Sequence, residues 1–344
     1  MARWNVILAG GVGSRFWPLS TPQRPKQLLP LVHDQPMLRD ALDRLLPTAP
    51  ATHTLVLTNA SLRGTVADLA PMLPSANILI EPRPAGTCAA LAWAAQVIAD
   101  RDGPDAVMVC THADWAIGDV SAFQATLAQA VAAAEAHHAL VTVGIVPVRP
   151  DTGYGYIEPG EPLDGSVRRV ARFVEKPDRR RAEEMVEAGY LWNSGIFVWR
   201  VGDLLEELQT HTPEVFPALA DAHGDADRFF GAVATPLAID VGVLERSQRV
   251  LVVPGTFGWD DVGTWASLHR VRSRDAHGNA VIGPAVGVEA HDNVVHADGP
   301  PVVFYGVSDL VVVSRDDVVL VTTRDRAADL KRLIEAIPPG FLDR

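Results

Sequence analysis

Residues 4–31 read WNVILAGGVGSRFWPLSTPQRPKQLLPL, a short apolar run followed by glycines, prolines and basic side chains. The apolar run, residues 4–9, has the composition of a buried strand. It ends at Gly10 and Gly11, where backbone N–H groups can approach a ligand because no Cβ stands in the way. A glycine pair after a strand can also be an ordinary turn, so the residues beyond the pair decide its meaning.

Three basic side chains come after the glycines: Arg15, Arg24 and Lys26, separated by prolines that restrict the backbone around them. Glycine amides for phosphate oxygens, followed by fixed cations for their charge, favour a nucleoside triphosphate site. The stretch is not a Walker A loop, because no G-K-[ST] closes it, and it lacks the G-x-G-x-x-G dinucleotide pattern. It therefore predicts a triphosphate site of another type.

Composition narrows the class of protein. The chain has 344 residues, enough for a large core and about two domains. Its net charge is −12, which argues against a nucleic acid or an anionic membrane as partner, since either would favour a basic surface. Cys88 and Cys110 have neither metal-site spacing nor a disulfide framework. With no signal-peptide pattern and no apolar run of about 18 residues, we expect a cytoplasmic protein.

Strand-like and helix-like segments alternate up to residue 146, which predicts an α/β fold with a mostly parallel sheet covered by helices. Ligands of such sheets bind beyond the carboxyl ends of the strands, where the glycine loop lies. The predicted strands after the first are 53–58, 77–81, 106–111 and 139–146. The predicted helices are 36–46, 61–73 with Ser61 as N-cap, 87–100 and 121–138.

The pattern changes after residue 150. Strands at 167–175 and 191–200 with helices at 178–188 and 202–210 predict an inserted lobe, about 151–249. Residues 280–323 are rich in valine, glycine and aspartate, which indicates short strands and turns, and 324–337 read as a closing helix. We therefore predict a catalytic domain, 1–276, and a small C-terminal β domain, 277–344, with no clear internal repeat.

Taken together, G-G-x-G-x-R, P-L-S and R-P-K-Q resemble the signature of the sugar-nucleotide pyrophosphorylases, and the R-P-K-Q form resembles that of the bacterial mannose-1-phosphate guanylyltransferases. The resemblance implies a Rossmann-like, mostly parallel mixed sheet, the nucleotide-diphospho-sugar transferase fold, with a small C-terminal β-rich domain. It makes Arg15 and Lys26 the catalytic residues. The nucleotide-binding residues that it implies are Leu8, Ala9, Gly10, Gly11, Gly13, Ser14, Glu81, Gly86 and Thr87.

Two aspartates match the family's metal ligands. Asp114 lies in THADWAI, just past a predicted strand, and Asp261 lies in WDDVGTW, which resembles W-x-D-V-G-[ST]-W. Asp260 falls at the variable position of that motif, commonly serine in relatives. The resemblance implies a bound Mg²⁺, which prefers a few carboxylates together with phosphate oxygens and waters. Without it, each aspartate could equally be a turn or N-cap residue.

The sugar phosphate is implied to bind at three further motifs. Glu175 and Lys176 in FVEKP match residues that hold sugar hydroxyls and phosphate, Asn193 in LWNSGIFVW contacts the sugar, and Gly155 lets it approach the backbone. An amide can donate and accept at once, which suits vicinal hydroxyls. In an extended chain, Glu175 and Lys176 would face opposite ways.

The base site departs from the family pattern. In EPRPAGTCAA, Ala85 and Gly86 replace the usual arginine and asparagine, while Glu81 and Thr87 are kept. Two candidate partners for guanine are therefore missing, and we expect a smaller preference for GTP. The motif around Asp240, in AIDVGVLER, is interpreted as structural.

The reaction implied is mannose 1-phosphate plus GTP giving GDP-mannose and pyrophosphate. The implied partners are those two substrates and a second copy of the chain, which would be joined through the C-terminal domain. Two alternatives stay open. One is a pyrophosphorylase for another hexose 1-phosphate or nucleotide. The other is a silent, nucleotide-sensing regulatory subunit, which the presence of Arg15, Lys26, Asp114 and Asp261 disfavours.

Overall fold

The structure is a computed structural model that describes residues 1–11 and 14–342. Gly13, predicted to bind nucleotide, lies outside the described residues. Within them, no helix combines the length and the apolar character needed to cross a bilayer. The chain divides into two compact units. The sheet unit comprises Met1–Gly10, Ala41–Ala113 and Asp119–Trp259. The coil unit comprises Gly11–Asp40, Asp114–Gly118 and Asp260–Arg344.

The strands and helices are numbered in chain order. The strands are β1 (Arg3–Leu8), β2 (Thr54–Asn59), β3 (Ile78–Glu81), β4 (Val107–His112), β5 (Ala116–Ile117), β6 (Leu140–Ile145), β7 (Tyr156–Asp164), β8 (Val167–Val174), β9 (Leu191–Arg200), β10 (Val250–Gly255), β11 (Trp259–Asp260), β12 (Ala280–Ile282), β13 (Ala285–Val288), β14 (Val294–Ala297), β15 (Val302–Tyr305), β16 (Leu310–Arg315) and β17 (Val318–Thr323). The α-helices are α1 (Met37–Leu45), α2 (Arg63–Leu69), α3 (Gly86–Asp102), α4 (Val120–His137), α5 (Arg179–Glu187), α6 (Val201–His211), α7 (Phe216–Ala222), α8 (Ala226–Ala232), α9 (Trp265–Val271), α10 (Lys331–Ala336) and α11 (Pro339–Leu342).

The sheet unit is built on a nine-stranded sheet with the order β3-β2-β1-β4-β9-β6-β10-β8-β7 in the described part of the chain. β1 runs parallel to β2 and β4, and β6 to β10, while β9 is antiparallel to both β4 and β6. Helix α3 packs against β1 and β2, and α4 against β4, β6, β9 and β10. The predicted α/β fold with a mixed, largely parallel sheet is confirmed, and β1 ends where the glycines begin.

Most predicted helices and strands of this unit are present within a few residues, but the predicted N-cap of the second helix is wrong. Ser61 does not cap it; Oδ1 of Asn59 accepts a hydrogen bond from the backbone N–H of Leu62 at 3.1 Å. A 3-10 turn, Ala60–Leu62, therefore precedes α2, because the asparagine side chain reaches the first free amide.

The predicted closing helix at 324–337 is also wrong. The segment is broken into a 3-10 turn at Arg326–Ala328 and the short helix α10, with α11 beyond it. Asp329 between the turn and α10 has φ −130° and ψ 74°, outside the helical region. Pro338 separates α10 from α11, because proline lacks the N–H that would continue the helix.

The coil unit stacks short parallel strands. Ala280 of β12 pairs with Val294 of β14, which pairs with Val311 of β16, and β13 pairs in parallel with β15. At one corner Asn293 donates from its backbone N–H and from Nδ2 to Oδ1 of Asn279, at 3.1 and 2.9 Å. The chain thus winds in successive parallel turns, although its sequence shows no clear repeat, because the turns share an inward apolar position rather than a motif.

The core of the coil unit draws on distant parts of the chain. Phe16, Leu31, Trp265, Val294 and Val311 all belong to one buried cluster. Nε1 of Trp265 also donates to the backbone oxygen of Trp17 at 3.1 Å. The C-terminal strands therefore pack on the segment that comes after the glycine loop. The predicted boundary between 276 and 277 stays a prediction.

Candidate functional site

The glycine loop of the sheet unit lies against a carboxyl group. Strand β1 ends at Leu8. The backbone N–H of the next residue, Ala9, donates to the backbone oxygen of Leu57 at 2.8 Å, and Gly10 is exposed. A Cβ on Gly10 would lie 3.2 Å from Oε1 of Glu81, the last residue of β3. Burial raises the pKa of Glu81 to about 7. A carboxyl group next to bare backbone is therefore close to half-ionised at neutral pH.

The N-terminus of α3 carries the two departures from the family pattern. Gly86 has φ +85°, and a Cβ there would lie 2.3 Å from the backbone oxygen of Leu237. That oxygen accepts from the N–H of Cys88 at 3.0 Å, and Oγ1 of Thr87 accepts from the N–H of Ile239 at 2.9 Å. Ala85 is fully buried. These residues fit the chain at 237–239, so a larger side chain at position 85 or 86 would need that segment to move.

Arg15 lies in the coil unit, in the 3-10 turn Ser14–Phe16 that comes after the loop beginning at Gly11. It is exposed, whereas its neighbour Phe16 is fully buried and packs edge-on against Trp265, with ring centroids 5.2 Å apart. The exposed guanidinium is therefore carried by an anchored turn. Ser14, predicted to bind nucleotide, is the first residue of this turn.

Lys26 joins the two predicted metal ligands, and all three residues belong to the coil unit. Its side chain is buried, and Nζ donates to Oδ2 of Asp114 at 3.0 Å and to the backbone oxygen of Asp261 at 2.5 Å. Next to it, Nε2 of Gln27 donates to the backbone oxygen of Gly11 at 2.9 Å. Segments around residues 26, 114 and 261 thus meet at one ammonium group.

The donor set around Lys26 suits a hard divalent cation. Oδ1 of Asp261 accepts from the N–H of Gly263 at 3.2 Å, and a Cβ on Gly263 would lie 2.9 Å from Oδ2. Among the described residues, no group of three or more His, Cys, Asp or Glu side chains could hold a metal. Two carboxylates fit Mg²⁺, which commonly takes one or two protein carboxylates and completes its shell with phosphate and water.

Three of the predicted sugar-phosphate residues come together in the sheet unit. The N–H of Asn193 donates to the backbone oxygen of Gly155 at 2.8 Å. A Cβ on Gly155 would lie 3.2 Å from Oε2 of Glu175 and 3.7 Å from Cβ of Asn193. Gly155 therefore keeps open the space that the carboxylate and the amide border.

The expectation that Glu175 and Lys176 face opposite ways is wrong. Lys176 has φ +30°, so the chain leaves the extended conformation directly after β8. Nζ of Lys176 forms an ion pair with Oε1 of Glu175, and both side chains are exposed. The alternation of a strand does not apply to a left-handed residue, and the pair lies on one side of the chain.

Asp240, interpreted from sequence as structural, belongs to the same group. Nδ2 of Asn193 donates to its Oδ1 at 2.6 Å, and Asp240 opens a π-helix, Asp240–Leu244. Burial, with a contribution from Glu175, raises the pKa of Asp240, and burial together with Asp240 and Glu175 raises the pKa of Glu245. In the sequence, the pairs Ile239-Asp240 and Glu245-Arg246 of this motif were the signal for the acidic group.

Known proteins match almost the whole chain. The family model "Nucleotidyl transferase" matches residues 4–278, and the model "MannoseP isomerase/GMP-like beta-helix domain" matches 283–337. The mannose-1-phosphate guanylyltransferase of Escherichia coli K12 is 39% identical over 97% of this chain and 73% of its own length. The alginate biosynthesis protein AlgA of Pseudomonas aeruginosa is 39% identical over 96% and 71%.

A solved structure agrees with this result. A Thermus thermophilus protein, named mannose-1-phosphate geranyltransferase, superposes with a TM-score of 0.90 at 35% identity, over 97% of this chain and 99% of that one.

Proposed function

Because this chain belongs to the nucleotidyl transferase family, we propose that it transfers a guanylyl group from GTP to mannose 1-phosphate, giving GDP-mannose and pyrophosphate. The observation that carries the proposal is the meeting of Lys26 with Asp114 and Asp261. A buried ammonium beside two aspartates is suited to a polyphosphate and its cation rather than to a neutral ligand.

The reaction needs positioning more than proton transfer. An oxygen of mannose 1-phosphate attacks the α-phosphorus of GTP, a new P–O bond forms, and the bond to the β-phosphate breaks as pyrophosphate leaves. The attacking oxygen is already anionic, so no general base is required. The chain has to hold two mutually repelling anions in line and to stabilise the charge that develops between them.

The coil unit supplies the charges. Lys26 neutralises phosphate charge from a buried position, and its bond to Asp114 fixes the direction of the ammonium. Arg15, exposed on its turn, neutralises further phosphate charge through its guanidinium. Asp114 and Asp261 would hold the Mg²⁺, which when bound polarises phosphate oxygens as a Lewis acid.

The sheet unit supplies recognition. Ionised Glu81 accepts hydrogen bonds from N–H groups of guanine, and Gly10 leaves the base room beside it. Backbone groups of Leu8 to Gly10 and the N-terminal turn of α3, with Gly86 and Thr87, border the nucleotide, and Gly11, also proposed to bind it, is the first residue of the coil unit. Gly155, Glu175 and Asn193 receive the mannose hydroxyls, and Lys176 takes the sugar phosphate.

A substrate panel with two variants tests the proposal. We expect product from GTP and mannose 1-phosphate to exceed that from ATP, UTP, dTTP and other hexose 1-phosphates. Arg15→Ala and Lys26→Ala should each lower kcat by well over ~10-fold, the scale of one lost transition-state contact. Arg179→Ala, which removes an exposed arginine paired with Glu183, is the control and should leave kcat unchanged.

The alternatives have distinct outcomes in this panel. Preference for dTTP or UTP would identify a pyrophosphorylase of other specificity, which the replaced residues Ala85 and Gly86 make the second candidate. GTP binding without product from any pair would identify a regulatory subunit. Near-normal turnover in both Arg15→Ala and Lys26→Ala would contradict the phosphate roles.

A homodimer through the C-terminal strands is part of the proposal. Val286 pairs with Val303 and Val288 with Tyr305 across β13 and β15, and all four side chains are exposed. They form one apolar patch of a kind that marks protein interfaces, and we propose a second copy of the chain as its partner. Sedimentation velocity should give a dimer that Val303→Glu converts to a monomer. The cytoplasmic location stays a prediction.

A further inference from the structure

The turn between β11 and α9 contains a strained residue. Val262 has φ +48°, in the left-handed region, and its side chain is fully buried in the core of the coil unit. A β-branched residue is rare in this conformation, because its Cβ crowds the following carbonyl group. Such a backbone persists only where surrounding contacts fix it.

Asp260 provides the fixing contacts. Its Oδ1 accepts from the N–H of Val262 at 2.9 Å, and its Oδ2 accepts from Nε and a terminal nitrogen of Arg270 at 2.9 and 2.8 Å. Asp260 is 4% exposed, whereas the side chain of Arg270 is 40% exposed, so the carboxylate is the buried partner of these charge-assisted bonds. One carboxylate therefore ties the strained residue to α9.

The N–H of Val262 and the carbonyl group of Asp261 belong to one planar peptide unit. The carbonyl oxygen accepts from Nζ of Lys26, while the N–H donates to Asp260. Asp260 and Lys26 thus hold opposite ends of the same peptide group. If that plane rotated, the contact with Lys26 would be lost and the carboxylate of Asp261 would be displaced from Gly263.

We propose that Asp260, oriented by Arg270, is a positioning residue that sets the directions of Lys26 and Asp261. The inference rests on the phosphate and metal roles proposed above for those two residues. It gives a function to a position that the family motif leaves variable. Asp260 acts through the peptide plane and touches neither substrate.

The test compares three variants. Asp260→Asn keeps an oxygen for Val262 but turns an NH₂ group toward Arg270, and Arg270→Met removes the orienting cation. Asp203→Asn is the matched control, since Asp203 is 8% exposed and pairs with Arg249 at 3.2 Å in the sheet unit. We measure four quantities on the whole chain: kcat and KM, the melting temperature, the hydrogen-exchange rate of the Val262 amide, and the Mn²⁺ affinity. The Mn²⁺ affinity is determined by EPR in the presence of GDP-mannose and without pyrophosphate.

We expect Asp260→Asn and Arg270→Met to lower kcat by about 10-fold with KM for mannose 1-phosphate nearly unchanged, since small misplacements cost rate. Mn²⁺ affinity should fall about fivefold, close to the range for groups that orient metal ligands. The Val262 amide should exchange faster in both variants. The control should lower the melting temperature and leave kcat, Mn²⁺ affinity and this exchange unchanged.

Two results would separate the possible failures. If Asp260→Asn and Arg270→Met change only the melting temperature, as the control does, the positioning role is wrong. Asp261→Asn tests the metal role by itself. If Asp261→Asn leaves Mn²⁺ affinity unchanged, the proposed metal site is wrong. If the Val262 amide exchanges at an unchanged rate in Asp260→Asn, the positioning inference is wrong, whether or not the metal site is correct.

Discussion

The two units use acidic residues in opposite ways. In the coil unit, the buried ammonium of Lys26 donates to the carboxylate of Asp114 and to the backbone oxygen of Asp261. In the sheet unit, Asp240 receives its hydrogen bond from the neutral amide of Asn193, and burial raises the pKa of both Asp240 and Glu245. The first group is built around positive charge, whereas in the second burial disfavours the ionised form of the carboxyls.

This difference matches the chemistry of the two proposed ligands. Phosphate groups and their cation bring charges, which a fixed ammonium and carboxylates can complement. A sugar brings hydroxyl groups, which donate and accept without charge, so a carboxyl group beside an amide can bind them. The residue type is the same on both sides, and the neighbouring groups decide how it is used.

Truncation after Asn279 should have the largest effect, because it removes the support of the phosphate side. Val294 and Val311 would be lost from the cluster that contains Phe16, and so would the bond from Arg315 to the backbone oxygen of Pro18 at 2.8 Å. We expect aggregation and no turnover, measured by size-exclusion chromatography and product formation. A soluble, fully active truncated monomer would contradict this expectation.

The same substitution on each side gives the next test. Asp261→Asn should lower kcat by ~100-fold or more, since it removes a charged metal ligand, and EDTA should abolish the activity of the parent protein until Mg²⁺ is restored. Asp240→Asn should lower kcat by no more than about threefold near neutral pH, because the amide oxygen of the new asparagine still accepts the hydrogen bond from Asn193. Equal losses in the two variants would remove the distinction between the two acidic groups.

The pH dependence of GTP binding is the smallest effect. The pKa of Glu81 is raised to about 7, so the ionised form that accepts from guanine grows as pH rises through 7. KM for GTP should fall several-fold across that range, and Glu81→Gln should remove the dependence. Exposed Glu183→Gln is the control and should keep it.

The same shift predicts a change in stability. The folded state holds a proton on Glu81 more tightly than the unfolded chain, whose value is near 4.5. The stabilising contribution of the protonated form is therefore complete below about 4.5 and is lost as pH rises to about 7. Chemical unfolding of the parent protein against Glu81→Gln should show this slope, and parallel curves would argue that Glu81 is solvated.

The alternating strands and helices could be predicted because their signals are local. Apolar runs and helical spacing located β1, β2, β4 and α3 within a few residues. The tail could not be predicted in the same way, since its parallel pairs join residues 14 to 17 positions apart through backbone hydrogen bonds that any side chain permits. Propensity also favoured a closing helix at 324–337, which the structure interrupts at Asp329.

The candidate site likewise contains residues that the sequence could identify and contacts that it could not. Motif resemblance selected Lys26, Asp114 and Asp261, but no spacing rule relates three positions so far apart. Asp260 was given no role because it falls at the variable position of the motif, and its contact with Arg270 is defined only once α9 forms after the turn. Lys176 was misjudged because its left-handed backbone depends on the turn after β8, not on the strand itself.

The coil unit is assembled from stretches that the ribosome makes far apart in time. Phe16 and Lys26 are synthesised early, yet Trp265, against which Phe16 packs, comes roughly 240 residues after Lys26, or about 10 to 50 seconds at ordinary rates of elongation. Contacts between such distant positions form slowly, because a long loop has to close first. Newly made chains should therefore pair β1, β2 and β4 early and acquire their phosphate chemistry last.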